Sequence, residues 1–350
     1  MYSCIWDGFD DYTTTGERWD TIVGTPQYSS SYARYAAAPN CVGQGVRLAG
    51  PGTYKLKNYS ADSPEPIASF AVLFESLPTS GSQGFFSFKD SGNGQVSLAV
   101  NANGALEVWN GALGTKLATS APGVIVANAY YFIDFEAVIN ASGSINVWLG
   151  APAGGGALIS ASGVVTQTTG NAYANQVAIG FISNSAGVSA MRFDDFHAHD
   201  ASGSAPNAVL GEGTRIYTKM PNGAGYATTF TPNGASANWQ CVDDVPPDGD
   251  TTYVSTASFP STEGYAVGAA GFTGTVNGVV RASYVRKDDA GAHTFENGVR
   301  SGSTNGLSAA VAVNSSYTWQ QAFFGTDPNT SSAWTASAAD AASPVISAVS

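Results

Sequence analysis

The sequence predicts an all-β fold of two antiparallel β-sandwich, jelly-roll-like domains, and three observations lead there. Charge is scarce, with only 11% Asp, Glu, Lys and Arg, so Ser, Thr, Asn and Gly must build the polar surface, a palette suited to exposed strands and turns. Short alternating apolar segments bounded by Asn and Gly recur at regular intervals. No stretch between them carries a helical period. At 350 residues the chain exceeds the usual single-domain size, and two domains can each bury a core.

Taken in order, "GQGVRLAG", "ASFAVLFESL" and "GFFSFKD" are strand candidates, followed by a hairpin in "QVSLAVNANGALEVWNG". There Val96, Leu98 and Val100 share a face, Asn103-Gly104 turns, and Leu106 and Val108 return in register. "YFIDFEAVINASGSINVWLG" repeats this chemistry, so two strand-turn-strand segments close in Val-Trp-x-Gly. "NQVAIGFIS" and "AMRFDDFHAHD" complete the first half. "DASGSAPNAVLGEG" is small, polar and Pro/Gly-containing, as a boundary should be. The division expected is a sandwich over 1–203, a linker over 204–213 and a second sandwich over 214–350. In the latter, 275–287 and 311–324 read as strands, with Asp288-Asp289-Ala290-Gly291 as a turn.

Two resemblances follow from these pieces. "WDGFDDYTTTGERWD", "GQGVRLAG", "FAVLFESLP", the Val-Trp-x-Gly segments and "MRFDDFHAHD" resemble a laminin-G or concanavalin-like jelly roll over roughly residues 1–200. Asp194-Asp195-Phe196, Pro221 to Gly225, Trp239, Asp243 to Thr252, Tyr253-Val254, Arg286 to Asp289, Asp327-Pro328 and Trp334-Thr335 together resemble a module of tailed-bacteriophage virion proteins. That resemblance implies a non-enzymatic structural protein, tail-associated or capsid-decorating, on the virion exterior and made in the host cytoplasm. Its partners would be copies of itself, with a trimer guessed by analogy, and other capsid or tail proteins. The alternative is an adhesin binding host surface glycan. The ending "ASPVISAVS" departs from the pattern and reads as an assembly contact or a frayed end.

Charge excludes other classes. Residues 1–205 hold 15 acids and 8 bases and residues 206–350 hold 11 and 6, so the nets of −7 and −5 sum to −12. Neither half offers the clustered Lys and Arg that a phosphate backbone demands, and no nucleic acid is expected. No apolar run reaches a membrane span, and "MYSCIWDGFDDY" lacks a signal peptide's basic start and apolar stretch. Cys4, Cys41 and Cys241 lack metal spacing and read as buried free thiols, with a Cys4 to Cys41 bridge as the lesser option.

Catalytic motifs are missing: there is no Gly-x-Ser-x-Gly, His-Glu-x-x-His, P-loop or Rossmann pattern. Asp134 and Glu136 share a strand face, but residue 138 is Val where sandwich glycosidases carry a third acid, so the pair reads as a solvated face and the chain as no enzyme. Trp109 and Trp148, beside Asn110 and Asn146, are core fillers on one reading and a carbohydrate-binding stacking platform on the other. His197 and His199 share a face near Asp194, Asp195 and Asp200, which also fits a divalent ion, although surface strand residues are the simpler account. Asp243, Asp244, Asp248 and Asp250 of "VDDVPPDGDTTYV" could offer oxygens to Ca²⁺ as a cofactor. The EF-hand spacing is absent, and a turn at Asp248-Gly249 is favoured, with Asp side chains meeting loose backbone N–H groups.

Overall fold

A computed structural model describes residues 4–183, 186–202 and 206–350. It divides into two compact units, one of residues 1–9, 19–36 and 44–216, the other of 10–18, 37–43 and 217–350. The expected boundary at 203/204 lies outside the described residues. The two units depart from the expected division on both sides of it. Residues 206–213, linker-like in composition, belong to the first unit, and two N-terminal segments belong to the second. Long-range bonds explain the second correction: within that unit Val42 N donates to Thr218 O at 2.9 Å, Thr218 Oγ1 to Asp10 at 2.8 Å and Asn40 Nδ2 to Ala269 O at 2.7 Å.

The first unit contains strands β1 (Ile5–Asp7), β2 (Thr21–Val23), β3 (Gln27–Ser29), β4 (Gly45–Ala49), β5 (Tyr54–Ser63), β6 (Pro66–Phe74), β7 (Ser82–Asp90) and β8 (Asn93–Asn101). β9 (Leu106–Asn110), β10 (Thr115–Thr119), β11 (Tyr130–Val138), β12 (Gly143–Leu149), β13 (Ile159–Val164), β14 (Ala174–Gly180) and β15 (Ala190–Asp200) follow. They form two antiparallel sheets, of eight strands in the order β13-β12-β11-β6-β15-β4-β3 with β1 also on β15, and of seven in the order β10-β9-β8-β7-β14-β5-β2. This is the expected sandwich. Both hairpins form in the expected register, Leu98 opposite Val108 and Val100 opposite Leu106 in the first, Phe135 opposite Val147 in the second. Gly104 takes φ +70°, which suits the tight reversal.

Between the sheets lies an aromatic core. Phe70 of β6 stacks on Phe86 of β7 at 5.0 Å, and Phe88 stacks on Phe135 of β11 at 5.2 Å. A bulge between Gly84 and Phe86 lets the adjacent Phe85 and Phe86 both turn inward, where both are fully buried.

The second unit is sandwich-like but less regular. Its six-stranded antiparallel sheet runs Pro221–Thr228, Ser261–Val267, Ser343–Ala348, Thr294–Ser301 and Thr304–Leu307, with Val311–Ala312 also on Thr294–Ser301. A ribbon of Val279–Val285 and Thr318–Phe324 packs on it through Ser283 Oγ to Asn297 at 2.6 Å and Asn297 Nδ2 to Gln320 O at 2.9 Å. Its helices are short: a 3-10 turn at Asn238–Cys241 and an α-helix, Ala336–Ala341, capped by Thr335 Oγ1. The ending read as frayed or as an assembly contact is corrected: Ser343–Ala348 lies inside the sheet, paired on both sides. Val345 is fully buried there.

Candidate functional site

Cross-strand partners share a face of a sheet, so the register builds the outer face of the eight-stranded sheet residue by residue. One row reads Trp148, Asp134, Ser69, His197, Trp6 across β12, β11, β6, β15 and β1. The next reads Ser160, Asn146, Glu136, Ile67, His199 from β13 to β15. A bulge in β15 between Asp194 and His197 sets this arrangement. Asp195 takes φ +51° there, a left-handed conformation that Asp tolerates better than most residues. The extra residue puts Asp194 as well as His197 and His199 on the outer face, while Phe193 and Phe196 pack against Phe70 in the core.

Much of this face is covered by the chain itself. Residues Pro206–Ile216 cross it as a strap: Ala208 O faces His199 Nε2 at 3.1 Å, the Leu210 and Gly211 backbones approach Asp134, Gly211 bridges Pro152, and Ile216 N returns to Asp195 Oδ1 at 2.8 Å. Arg34 closes the far side, its Nη2 donating to Glu212 O at 3.2 Å and its guanidinium 3.7 Å from Asp195. Its backbone N meets Asp194 Oδ2 at 2.6 Å.

Burial governs the ionisable groups beneath. Desolvation pushes Asp134 up to about 6, against the opposing bond from Ser69, which donates to it at 2.5 Å. Asp194 and Asp195 are also raised, by burial first and in Asp194 by its acidic neighbour as well. Desolvation lowers His199 to about 4 and holds His197 well below the ordinary imidazole value, which favours the neutral form of both rings. The carbonyl partner makes His199 Nε2 the protonated nitrogen. His197 stacks between Trp6 at 4.8 Å and His199 at 5.8 Å, with no hydrogen-bond partner for either ring nitrogen. The Asp195 backbone is near the ring without meeting hydrogen-bond geometry.

Asp134 is therefore not the solvated carboxylate expected: it is 1% exposed, under the strap. The histidines are likewise buried rather than surface strand residues. The four carbohydrate-binding candidates are not brought together. Asn146 and Trp148 lie on the outer face of the eight-stranded sheet, whereas Trp109 and Asn110 end β9 in the other sheet. Trp109 Nε1 donates to Glu107 at 3.0 Å under the Lys116 ammonium, 5.0 Å from the ring. Asn110 Nδ2 donates to Val165 O at 2.8 Å. Trp148 is half-buried, its Nε1 anchored on Gly155 O at 2.7 Å. Beside it Asn146 Nδ2 meets Glu136 at 3.2 Å and Ser160 Oγ meets Asn146 Oδ1 at 2.8 Å. Trp6, Ser69 and Arg34 were missed; Ser69 left one signal, a lone hydroxyl in the apolar run "IASFAVLF".

In the second unit the acidic loop forms the favoured turn. Thr252 Oγ1 bonds Asp244 at 2.8 Å and Asp248 at 3.0 Å, Gly249 takes φ +69°, and Asp250 pairs with Arg286 at 2.8 Å. Asp243 is raised by burial and by Asp244. Among the described residues no group of three or more His, Cys, Asp or Glu is placed to hold a metal ion, and Cys4, Cys41 and Cys241 are free, only Cys241 being buried.

No family model matches the chain, and no curated protein does. Solved structures do. An endo-β-1,4-glucuronan lyase from the fungus Trichoderma reesei is 14% identical, covering 55% of this chain and 94% of its own, at a TM-score of 0.38. The GH131 β-glucanase catalytic domain of Podospora anserina is 10% identical over 56% and 88%, at 0.34. The carbohydrate binding module CBM66 of Bacillus subtilis is 15% identical over 49% and 91%, at 0.25. Such likeness concerns the β-sandwich alone, a fold shared by carbohydrate-binding and glycoside-processing domains. Enzymes and binding modules alike are among the structures the chain is similar to, so the expectation that it is no enzyme finds no support there. Nothing in these comparisons points to a phage particle.

Proposed function

We propose that the first unit binds saccharide at the β12–β13 edge of its eight-stranded sheet, through Trp148, Asn146, Glu136 and Ser160. The observation that carries this reading is the half-buried Trp148 indole, clamped by Gly155 O beside the polar ladder from Glu136 to Asn146 to Ser160. An indole face stacks on the apolar face of a sugar ring, and a fixed carboxamide, carboxylate and hydroxyl provide donors and acceptors for its hydroxyls. Around Trp109 the polar groups of Ser82, Asn101 and Lys116 converge on the buried Glu107, leaving fewer of them for a sugar.

The test is a glycan array followed by calorimetry on the hits. Trp148→Ala is expected to weaken binding at least tenfold, or about 1.4 kcal/mol, while Trp109→Ala leaves it unchanged. Equal affinity of Trp148→Ala and the unsubstituted chain would remove the proposal. Assembly as a virion-exterior trimer is a second proposal, carried by the motif order. Mass photometry showing a stable monomer, with no labelling of purified particles, would dismiss it.

A further inference from the structure

We propose that the strap Pro206–Ile216 is a displaceable lid, and that the row Trp148, Asp134, Ser69, His197 and Trp6 beneath it is the floor of a groove for a neutral oligosaccharide. The ligand class rests on the saccharide reading of the Trp148 edge; the lid rests on separate observations.

The floor resembles a ligand site more than a packing surface. An aromatic ring stands at each end, and the span of five strands is roughly 19 Å at about 4.8 Å per strand. Between the rings lie a carboxylate, a hydroxyl and an imidazole. No Lys or Arg stands in the row, and Asp134 would repel an acidic sugar, so a neutral chain fits. His197 is fully buried with both ring nitrogens unpartnered, an arrangement that packing alone disfavours and a sugar hydroxyl would satisfy.

The cover, by contrast, is fastened by polar contacts. Its attachments to Asp195 and His199 and one of those to Arg34 run through its own backbone, bonds that sugar hydroxyls or water can replace, and its charged side chains add the Glu212 carboxylate 3.6 Å from Arg34 and the Arg215 guanidinium over the Tyr35 ring. Asn207, Ala208, Glu212, Gly213 and Arg215 are exposed, Val209 and Leu210 are half-buried, and only the small Pro206, Gly211 and Thr214 are buried, so little apolar surface resists opening. Gly211 is the pivot. It sits at φ +83°, and a Cβ there would fall 2.3 Å from Ala153 N, so a side chain at 211 pushes the strap off its bridge to Pro152.

Hydrogen exchange on the full chain tests the lid directly. Amides of Gly211 to Ile216 are expected to exchange at least a hundredfold faster than those of Asp134 and Phe135, and faster still when a neutral tetrasaccharide such as cellotetraose, or the best array hit, is bound. Strap amides as slow as those of β11, or unchanged under saturating saccharide, overturn the lid. Gly211→Val is expected to bind the saccharide at least tenfold tighter, because the closed population no longer lowers the apparent affinity; should it misfold by circular dichroism, Val209→Ser with Leu210→Ser serves instead. A folded variant with unchanged affinity, still sensitive to Trp148→Ala, overturns the lid and leaves the edge site standing. If neither the unsubstituted chain nor the variant binds any neutral saccharide, both readings fall.

Discussion

Glu107 with Trp109 on the seven-stranded sheet, and Asp134 with Trp148 on the eight-stranded one, set the same two residue types on two surfaces with opposite results. Each carboxylate is 1% exposed. Glu107 receives Ser82 Oγ at 2.6 Å, Asn101 Nδ2 at 2.9 Å, Trp109 Nε1 at 3.0 Å and Lys116 Nζ at 2.6 Å. Burial pushes its pKa up, but the bonds, led by Lys116, hold it below the ordinary value. Asp134 is met by one hydroxyl with two strap amides nearby, and burial wins, raising it to about 6. Desolvation acts on both, and the four donors at Glu107, the Lys116 ammonium first among them, outweigh it where the fewer donors at Asp134 do not. The Lys comes from the adjacent strand of a local hairpin, whereas the cover over Asp134 arrives from more than seventy residues away.

The largest expected effect falls on the core that both surfaces share. Phe70→Ala removes a ring in contact with Phe85, Phe86, Phe193 and Phe196 and should destabilise the first unit by about 3–5 kcal/mol. A loss below about 1 kcal/mol in denaturant unfolding would mean the sheets do not depend on one core. Glu107→Ala comes next, at about 2–3 kcal/mol, since several buried donors lose a charged acceptor. An unchanged melting temperature would show those bonds to be idle.

Asp134→Asn sharpens the contrast through pH. A raised folded-state pKa means the folded protein binds the proton more tightly than the unfolded chain, so the carboxylate destabilises above about pH 6 and ceases to as pH falls toward the ordinary value of 3.8. Relative to the unsubstituted chain, the Asn variant should therefore gain on the order of 2 kcal/mol at pH 7.5 compared with pH 4. His197 and His199 titrate in the opposite sense but are common to both proteins and cancel in the difference. A pH-independent difference in melting temperature contradicts the raised pKa. The smallest effect belongs to Asn146→Ala, whose side chain bonds only Glu136 and Ser160 at the sheet's open edge. Stability should change by less than about 0.5 kcal/mol while saccharide affinity drops; a large stability loss would make Asn146 a structural residue.

By itself the sequence determined what short-range chemistry determines. Asn-Gly and Ser-Gly at the two hairpin turns, apolar residues at every second position of β8, β9, β11 and β12, and Asp248-Gly249 in the acidic loop each act within a few residues, so the strands, their pairing and the turn were legible. Only the tertiary structure decided the rest, because it depends on partners far away in the chain. Alternation cannot reveal the extra residue at Asp195 that sets Asp194, His197 and His199 on one face. Composition made 206–213 resemble a linker, for small polar residues suit a strap held by its backbone as well as they suit a flexible tether. "SPVISA" carries no mark separating an inner strand from a frayed end until Ser261–Val267 and Thr294–Ser301 flank it. Asp134 reads in sequence as any outward strand carboxylate. Its burial, and with it its proton affinity, was set by Leu210 and Gly211 arriving from the other end of the domain.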